Sequence, residues 1–278
     1  MKRIYDWDAN YSLRNYTVAD LQALKGQRTL VQTTANSSEE AAAARDARID
    51  LVMANAQNTV AVREGAPDMF LTVAIGLPDF PTEKDILTAA FAAMKDGADS
   101  IYTARGPHIV EMLAREDIPV MCHLGLVPRK STWRGGLRAI GKTAQEAMEL
   151  WQDFRTMENA GAFSVEAEVI VSEVMEEISR RSSLITCSLG SGRGADVVYL
   201  FQNDICGEQL KSPRHSEAFG NINALQEQIK AERRRALSAF RTAVQEKQYP
   251  LPKNRIAMDP QEHDTFLSHL AASEQEFK

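Results

Sequence analysis

Eight short apolar runs separated by stretches with helical signals constrain this chain more than any other feature. The runs fall at residues 29–34, 49–54, 69–75, 100–103, 118–121, 163–169, 184–189 and 197–201. Between them lie helix signals. Residues 39–48 are entered through Ser37 and Ser38, and residues 82–97 open on Thr82 with Asp85 three positions later and stop at Gly97. Pro107 begins 107–115, Gly161 ends 144–160, and 173–181 completes the set. Continuous apolar runs of this length read as strands buried on both faces, and their alternation with helices implies a parallel sheet. Closure into an α/β (β/α)8 TIM barrel is the natural architecture for eight such units in 278 residues. A doubly wound open sheet is the runner-up, because periodicity carries no information about closure.

The flanks read differently. Thr17-Val-Ala-Asp20 is a capping box for a short helix through Leu24. Residues 55–65 form a short, poorly patterned link. Beyond Gly207 the chain exceeds what eight units need. A helix is expected over 223–247 with Leu225, Ile229, Leu237 and Phe240 as its apolar stripe, and another from Asp259-Pro260. These C-terminal helices are expected to pack across a subunit interface or under the barrel, with a homo-oligomer preferred. One domain is expected over 1–278, divided into an N-terminal helical segment (1–27), a barrel core (28–207) and a C-terminal extension (208–278).

Composition narrows the function classes. A net charge of −6 argues against general binding to nucleic acid or to an anionic membrane, since neutralising phosphates needs a basic surface. No run approaches the ~20 apolar residues of a membrane span, and the N-terminus has no signal core. Cys122, Cys187 and Cys206 lack paired spacing; two of them lie in apolar strand-like runs and read as small buried hydrophobes, and a reduced cytoplasm follows as the default. A small-molecule substrate fits this profile.

Residues 118–143 carry the strongest local signal. The apolar run ends at a single His123, followed by a loop with Gly135, Gly136 and Gly141 and four basic side chains, Arg129, Lys130, Arg134 and Arg138. A helix then starts at Thr143, with Glu146 three residues on. In βα-repeat proteins, chemistry sits at the carboxyl ends of strands. Independently, Glu166 and Glu168 share one face of the sixth strand, where two buried acids cost several kcal/mol unless paired or protonated. A solvated edge strand would also account for Ser164, Glu166 and Glu168.

The run Ile118-Pro-Val-Met-Cys-His-Leu-Gly-Leu-Val-Pro-Arg129 and the segment Gly135-Gly-Leu-Arg-Ala-Ile-Gly-Lys-Thr143 resemble the ketopantoate hydroxymethyltransferase family. That family belongs to the phosphoenolpyruvate mutase/isocitrate lyase superfamily of barrels, and its members read IPVMGHIGLTPQ and GGYRVQGKT. The similarity continues through Glu158–Phe163, Leu189–Gly192, Asp196 and Asp204–Gly207. The resemblance implies a barrel and an aldol-type transfer of a hydroxymethyl group to a 2-oxo acid, with Mg²⁺ and methylenetetrahydrofolate as cofactors. It places the proton-abstracting base on Glu168 and a substrate-orienting histidine on His123. Ser188, with its glycine-rich turn, is a substrate-binding candidate, although a tight turn explains it equally well. Glu166 has no family counterpart and is included as a further substrate-side candidate.

The departures from the family pattern concern the metal. Segments like GDSLG, ADMPF and KLEGG supply acids in the family, but here they read Ala54-Asn55-Ala-Gln57-Asn58, Ala74-Ile-Gly-Leu-Pro78 and Tyr102-Thr-Ala104-Arg105-Gly106. No carboxylate stands at any of the three positions, and Asn or Ala lacks the anionic oxygens that Mg²⁺ prefers. Asp79 or Glu83 could migrate inward. Arg105, or the amides of Asn55 and Asn58, could take over the electrostatic role toward a substrate carboxylate; an exposed loop charge describes Arg105 equally well. Two other readings stay open: a metal-independent lyase or hydrolase of the same superfamily, and a barrel that binds without turnover.

Overall fold

In a computed structural model, which describes residues 1–276, the eight runs form eight parallel strands closed on one another. A short antiparallel hairpin precedes them, β1 (Lys2–Tyr5) and β2 (Tyr11–Arg14), then helix α1 (Val18–Leu24). The barrel follows as β3 (Leu30–Thr34), α2 (Ser38–Asp46), β4 (Leu51–Asn55), α3 (Thr59–Gly65), β5 (Phe70–Ala74) and α4 (Glu83–Lys95). It continues as β6 (Ser100–Thr103), α5 (Pro107–Ala114), β7 (Val120–Gly125), α6 (Ala144–Asn159), β8 (Ser164–Glu168), α7 (Ser172–Arg181), β9 (Ile185–Leu189) and β10 (Val197–Leu200). β10 pairs with both β9 and β3, which closes the ring and removes every edge. The open-sheet alternative and the edge-strand reading of β8 are thereby excluded.

Two apolar layers follow from the pleat. Alternate residues such as Val120, Cys122, Leu124, Val165 and Ala167 face the helices, packing with Leu113, Leu150, Phe154 and Met175. The other set, including Leu51, Phe70, Met121, Phe163, Ile185, Val197 and Tyr199, fills the barrel interior together with Leu21 of α1. α1 therefore closes the N-terminal end of the barrel.

Ion pairs lock that closed end. Asp99 accepts from the Arg14 guanidinium at 2.6 Å, from that of Arg63 at 2.8 Å, and from the Leu71 amide at 2.9 Å. Burial lowers the Arg63 pKa, against the opposing pull of Asp99. Lys25 pairs with Asp196 at 2.7 Å, and Asp196 also caps Thr186 through its amide and hydroxyl.

Three elements escaped the sequence pattern. The N-terminal hairpin is largely exposed, apart from the buried Arg14 at its end, and carries no apolar run. α3 falls where a poorly patterned link was expected, because Thr59, Val60 and Val62 are weak helix formers and tertiary packing decides. Its last residue is Gly65, and a Cβ there would overlap the backbone of Ser38 at the start of α2. A single-turn helix, α8 (Gln202–Ile205), follows β10.

The described residues divide into two compact units, Met1–Asn221 and a second that begins at Ile222. The second contains α9 (Ile222–Gln245) and α10 (Pro260–Glu276). No residue of α9 is buried, and Leu225, Ile229, Leu237 and Phe240 are each more than half exposed. No helix among the described residues is long and apolar enough to cross a membrane.

Candidate active site

The parallel register assembles the site. β7 runs through to Gly125 rather than ending before His123, so the histidine is an inward residue of the strand, two positions after Met121. His123 lies opposite Glu166 across the β7–β8 ladder, and Gly125 lies opposite Glu168. Gly125 adopts φ +90°, and a Cβ on it would overlap the carbonyl oxygen of Glu168. Glycine is required there because the two strand ends approach so closely. Val169, immediately after Glu168, also has a positive φ of 48°, which is strained for a β-branched residue.

Nε2 of His123 stands 3.0 Å from Oε2 of Glu168 and 3.6 Å from Oε1 of Glu166. Neither contact has hydrogen-bonding geometry, so this buried nitrogen has no hydrogen-bond partner. On the other side of the ring, Nδ1 is 2.7 Å from the Tyr102 hydroxyl, which also donates to Glu166 Oε1 at 3.4 Å. Burial pushes the Glu166 carboxyl up to about 7; His123 pulls against this, Glu168 adds to it, and the Tyr102 hydrogen bond opposes it. Burial likewise holds the Tyr102 phenol well above its ordinary value, with Glu166 reinforcing the effect. Tyr102 carried no motif signal in the sequence, apart from opening the segment that corresponds to KLEGG.

A cavity of about 500 Å³ opens beside this group. Glu166 and Tyr102 line it, together with Thr34, Asn36, Asn55 and Gln202. The structure thus brings together His123, Glu166 and Glu168, with Asn55 on the same cavity. It does not bring Arg105 or Ser188 there. The Arg105 guanidinium is buried and donates to the carbonyls of Ile75, Gly76, Leu77 and Phe80 and to the Thr103 hydroxyl. It clamps the loop after β5 and does not line the cavity. Ser188 donates to the Gly192 carbonyl at 2.7 Å and accepts from the Ser191 amide, so it shapes the turn after β9. Asn58 donates to Asn36 at 3.3 Å on the rim.

The positions where the family carries metal-binding acids hold Asn55, the Ala74–Pro78 segment and Ala104, a set without a carboxylate. Asp79 and Glu83 are exposed and line no part of the cavity. The residues present at those strand ends therefore do not fit the implied Mg²⁺. Among the described residues, only His123, Glu166 and Glu168 place three metal-ligating atoms within 4.8 Å of one another.

Comparisons with known proteins identify the family. The family model for ketopantoate hydroxymethyltransferase matches residues 53–252. A protein of Thermotoga sp. (strain RQ2) named 3-methyl-2-oxobutanoate hydroxymethyltransferase is 32% identical over 260 residues, covering 84% of this chain and 93% of that relative. One from Methylibium petroleiphilum, 3-methyl-2-oxobutanoate hydroxymethyltransferase 1, is 26% identical and covers 80% of this chain and 74% of its own. Among solved structures, a candidate phosphonomutase from Burkholderia cenocepacia J2315 superposes with a TM-score of 0.50 at 11% identity, covering 63% of this chain and 84% of its own. A 2,3-dimethylmalate lyase of the phosphoenolpyruvate mutase/isocitrate lyase superfamily gives 0.49 at 11% identity, over 92% and 100%. With the matched segment spanning most of the barrel, this chain belongs to the ketopantoate hydroxymethyltransferase family.

Proposed function

We propose that the protein is a hydroxymethyltransferase-type enzyme that forms or breaks a C–C bond next to the carbonyl of a small 2-oxo acid, 3-methyl-2-oxobutanoate being the leading substrate. The observation that carries this reading is the convergence of two carboxylates on one histidine beside a cavity of a size suited to a small acid. The relatives' names support the substrate class.

The chemistry needs a proton removed from the carbon beside the carbonyl. Glu168, with Oε2 against His123 and its carboxylate part-exposed at the strand end, takes that proton. The C–H electron pair becomes the enolate C=C bond, while charge moves onto the carbonyl oxygen. The enolate carbon then attacks a one-carbon electrophile at the formaldehyde level: the C–C bond forms, the carbonyl is restored, and the π pair of the electrophile's C=O moves onto its oxygen, which takes a proton to become the hydroxyl. His123 acts through Glu168, whose Oε2 it faces at 3.0 Å, and Tyr102 fixes the imidazole through Nδ1. The Asn55 amide on the cavity wall supplies donors for the substrate's oxygens. The strand ends do not fit Mg²⁺, so no step is drawn through it, and methylenetetrahydrofolate as carrier rests on the family alone. The exposed apolar stripe of α9 supports self-association into a homo-oligomer.

Exchange of the proton beside the carbonyl of 3-methyl-2-oxobutanoate into D₂O, followed by NMR, tests the reaction without a one-carbon donor. Wild type should exchange it, and Glu168→Gln should abolish exchange while circular dichroism stays unchanged. Full exchange by Glu168→Gln would remove the base from Glu168.

A further inference from the structure

We propose that His123, Glu166 and Glu168 form a divalent-cation site, carried by β7 and β8 rather than by the strands where the family's sequences carry acids. The spacing fits an ion. Nε2 lies 3.0 and 3.6 Å from the two carboxylate oxygens. An ion bonded at about 2.1 Å to ligands at right angles would hold neighbouring ligand atoms about 3 Å apart.

The hydrogen bonds around the histidine point the same way. Tyr102 donates to Glu166, and its oxygen lies 2.7 Å from Nδ1. With the imidazole proton on Nδ1 both bonds are made, and Nε2 is left with a bare lone pair facing two carboxylates. His123 is only 4% exposed, and Nε2 is one of the few buried polar atoms without a hydrogen bond. A ligating histidine ordinarily donates its other N–H to a polar partner, which is the part Tyr102 plays here.

Charge completes the argument. Among the described residues, no lysine or arginine forms an ion pair with Glu166 or Glu168; His123 is their only cationic-type partner. Two carboxylates buried together are stabilised by a shared proton or by a positive charge between them, and an ion at Nε2 would supply the charge. A set of one imidazole and two carboxylates suits Mn²⁺, Fe²⁺, Co²⁺ or Zn²⁺ better than Mg²⁺, which favours oxygen ligands and retained water. Each side chain gives one atom, so the second oxygen of Glu168 keeps the proton-accepting role.

This inference rests on the geometry of the proposed catalytic site but not on its reaction, and metal can be counted without turnover. Full-length protein stripped with a chelator and dialysed is titrated with Mn²⁺. Free ion is read by electron paramagnetic resonance, and bound metal is counted by mass spectrometry. One Mn²⁺ per chain is expected. Glu166→Gln should weaken binding at least tenfold and Tyr102→Phe about 10- to 100-fold, whereas Glu146→Gln, outside the cluster, should bind as wild type does. Circular dichroism checks each fold, and Tyr102→Phe carries the test if Glu166→Gln fails to fold. Absence of bound ion in wild type overturns the proposal, as does undiminished binding by the Glu166 and Tyr102 variants, or Mg²⁺ binding as tight as Mn²⁺. Metal bound without proton exchange would retain this site and overturn the proposed reaction; exchange without metal would do the reverse.

Discussion

Oε2 of Glu168 sits 3.0 Å from Nε2 of His123 although the two residues belong to different strands, and the closeness of those strand ends depends on Gly125. Gly125→Ala should therefore act on both stability and chemistry. Its φ of +90° is costly for alanine, and the added methyl group meets the backbone of Glu168. The expected loss is about 2 kcal/mol, measured by urea unfolding, together with a drop in proton exchange as Glu168 shifts from His123. Unchanged stability would mean that the strand ends part easily.

The closed end of the barrel depends on Asp99. Its carboxylate is buried between Arg14 and Arg63 and also holds the Leu71 amide. Asp99→Asn leaves two guanidinium groups without their counter-charge and should cost about 3 kcal/mol. Thermal unfolding monitored by circular dichroism reads this directly. A shift within error would show that solvent reaches the arginines.

Glu146 ties down the loop after β7. Its carboxylate accepts from the Arg138 guanidinium and from the amides of Gly141 and Lys142. The Arg138 hydrogen bond is the main cause that holds its pKa below the usual 4.5. A lowered folded pKa means stabilisation that is fully present above the unfolded value and lost as pH falls through the folded one. Glu146→Gln should thus be less stable than wild type at neutral pH, and the gap should narrow as pH falls below the ordinary carboxylate value and close once it has passed the lowered folded one. Denaturant midpoints for both proteins across that range decide the point.

The three thiols should divide sharply. Burial pushes Cys187 up to about 12 and Cys122 still higher, whereas Cys206 is part-exposed and raised less. A thiol reagent at mildly alkaline pH should titrate Cys206 slowly in the native protein and all three only after unfolding. Rapid native reaction of Cys122 or Cys187 would indicate an opened barrel wall.

Much of the barrel was legible because strand and helix signals are local. Every barrel strand was found within a few residues, since a strand buried on both faces is mostly apolar. α3 was not, because its helical state depends on packing against α2 rather than on its own residues. The site was half legible. His123, Glu166 and Glu168 stood out as polar groups among apolar neighbours. Arg105 was a further candidate, weighed evenly against an exposed loop charge, yet its buried guanidinium is consumed by the carbonyls of the loop after β5.

The sequence alone determined the family, the strand and helix order, and which acids are missing from the usual metal positions. Only the tertiary structure decided that Glu166 and Glu168 meet the same imidazole nitrogen, and that Tyr102 from a third strand holds the ring from behind. The physical reason is register. Pairing across a closed parallel sheet joins residues far apart in the chain. Neither periodicity nor composition encodes which inward side chain faces which, whereas strand stagger and the close approach at Gly125 fix it to within an ångström.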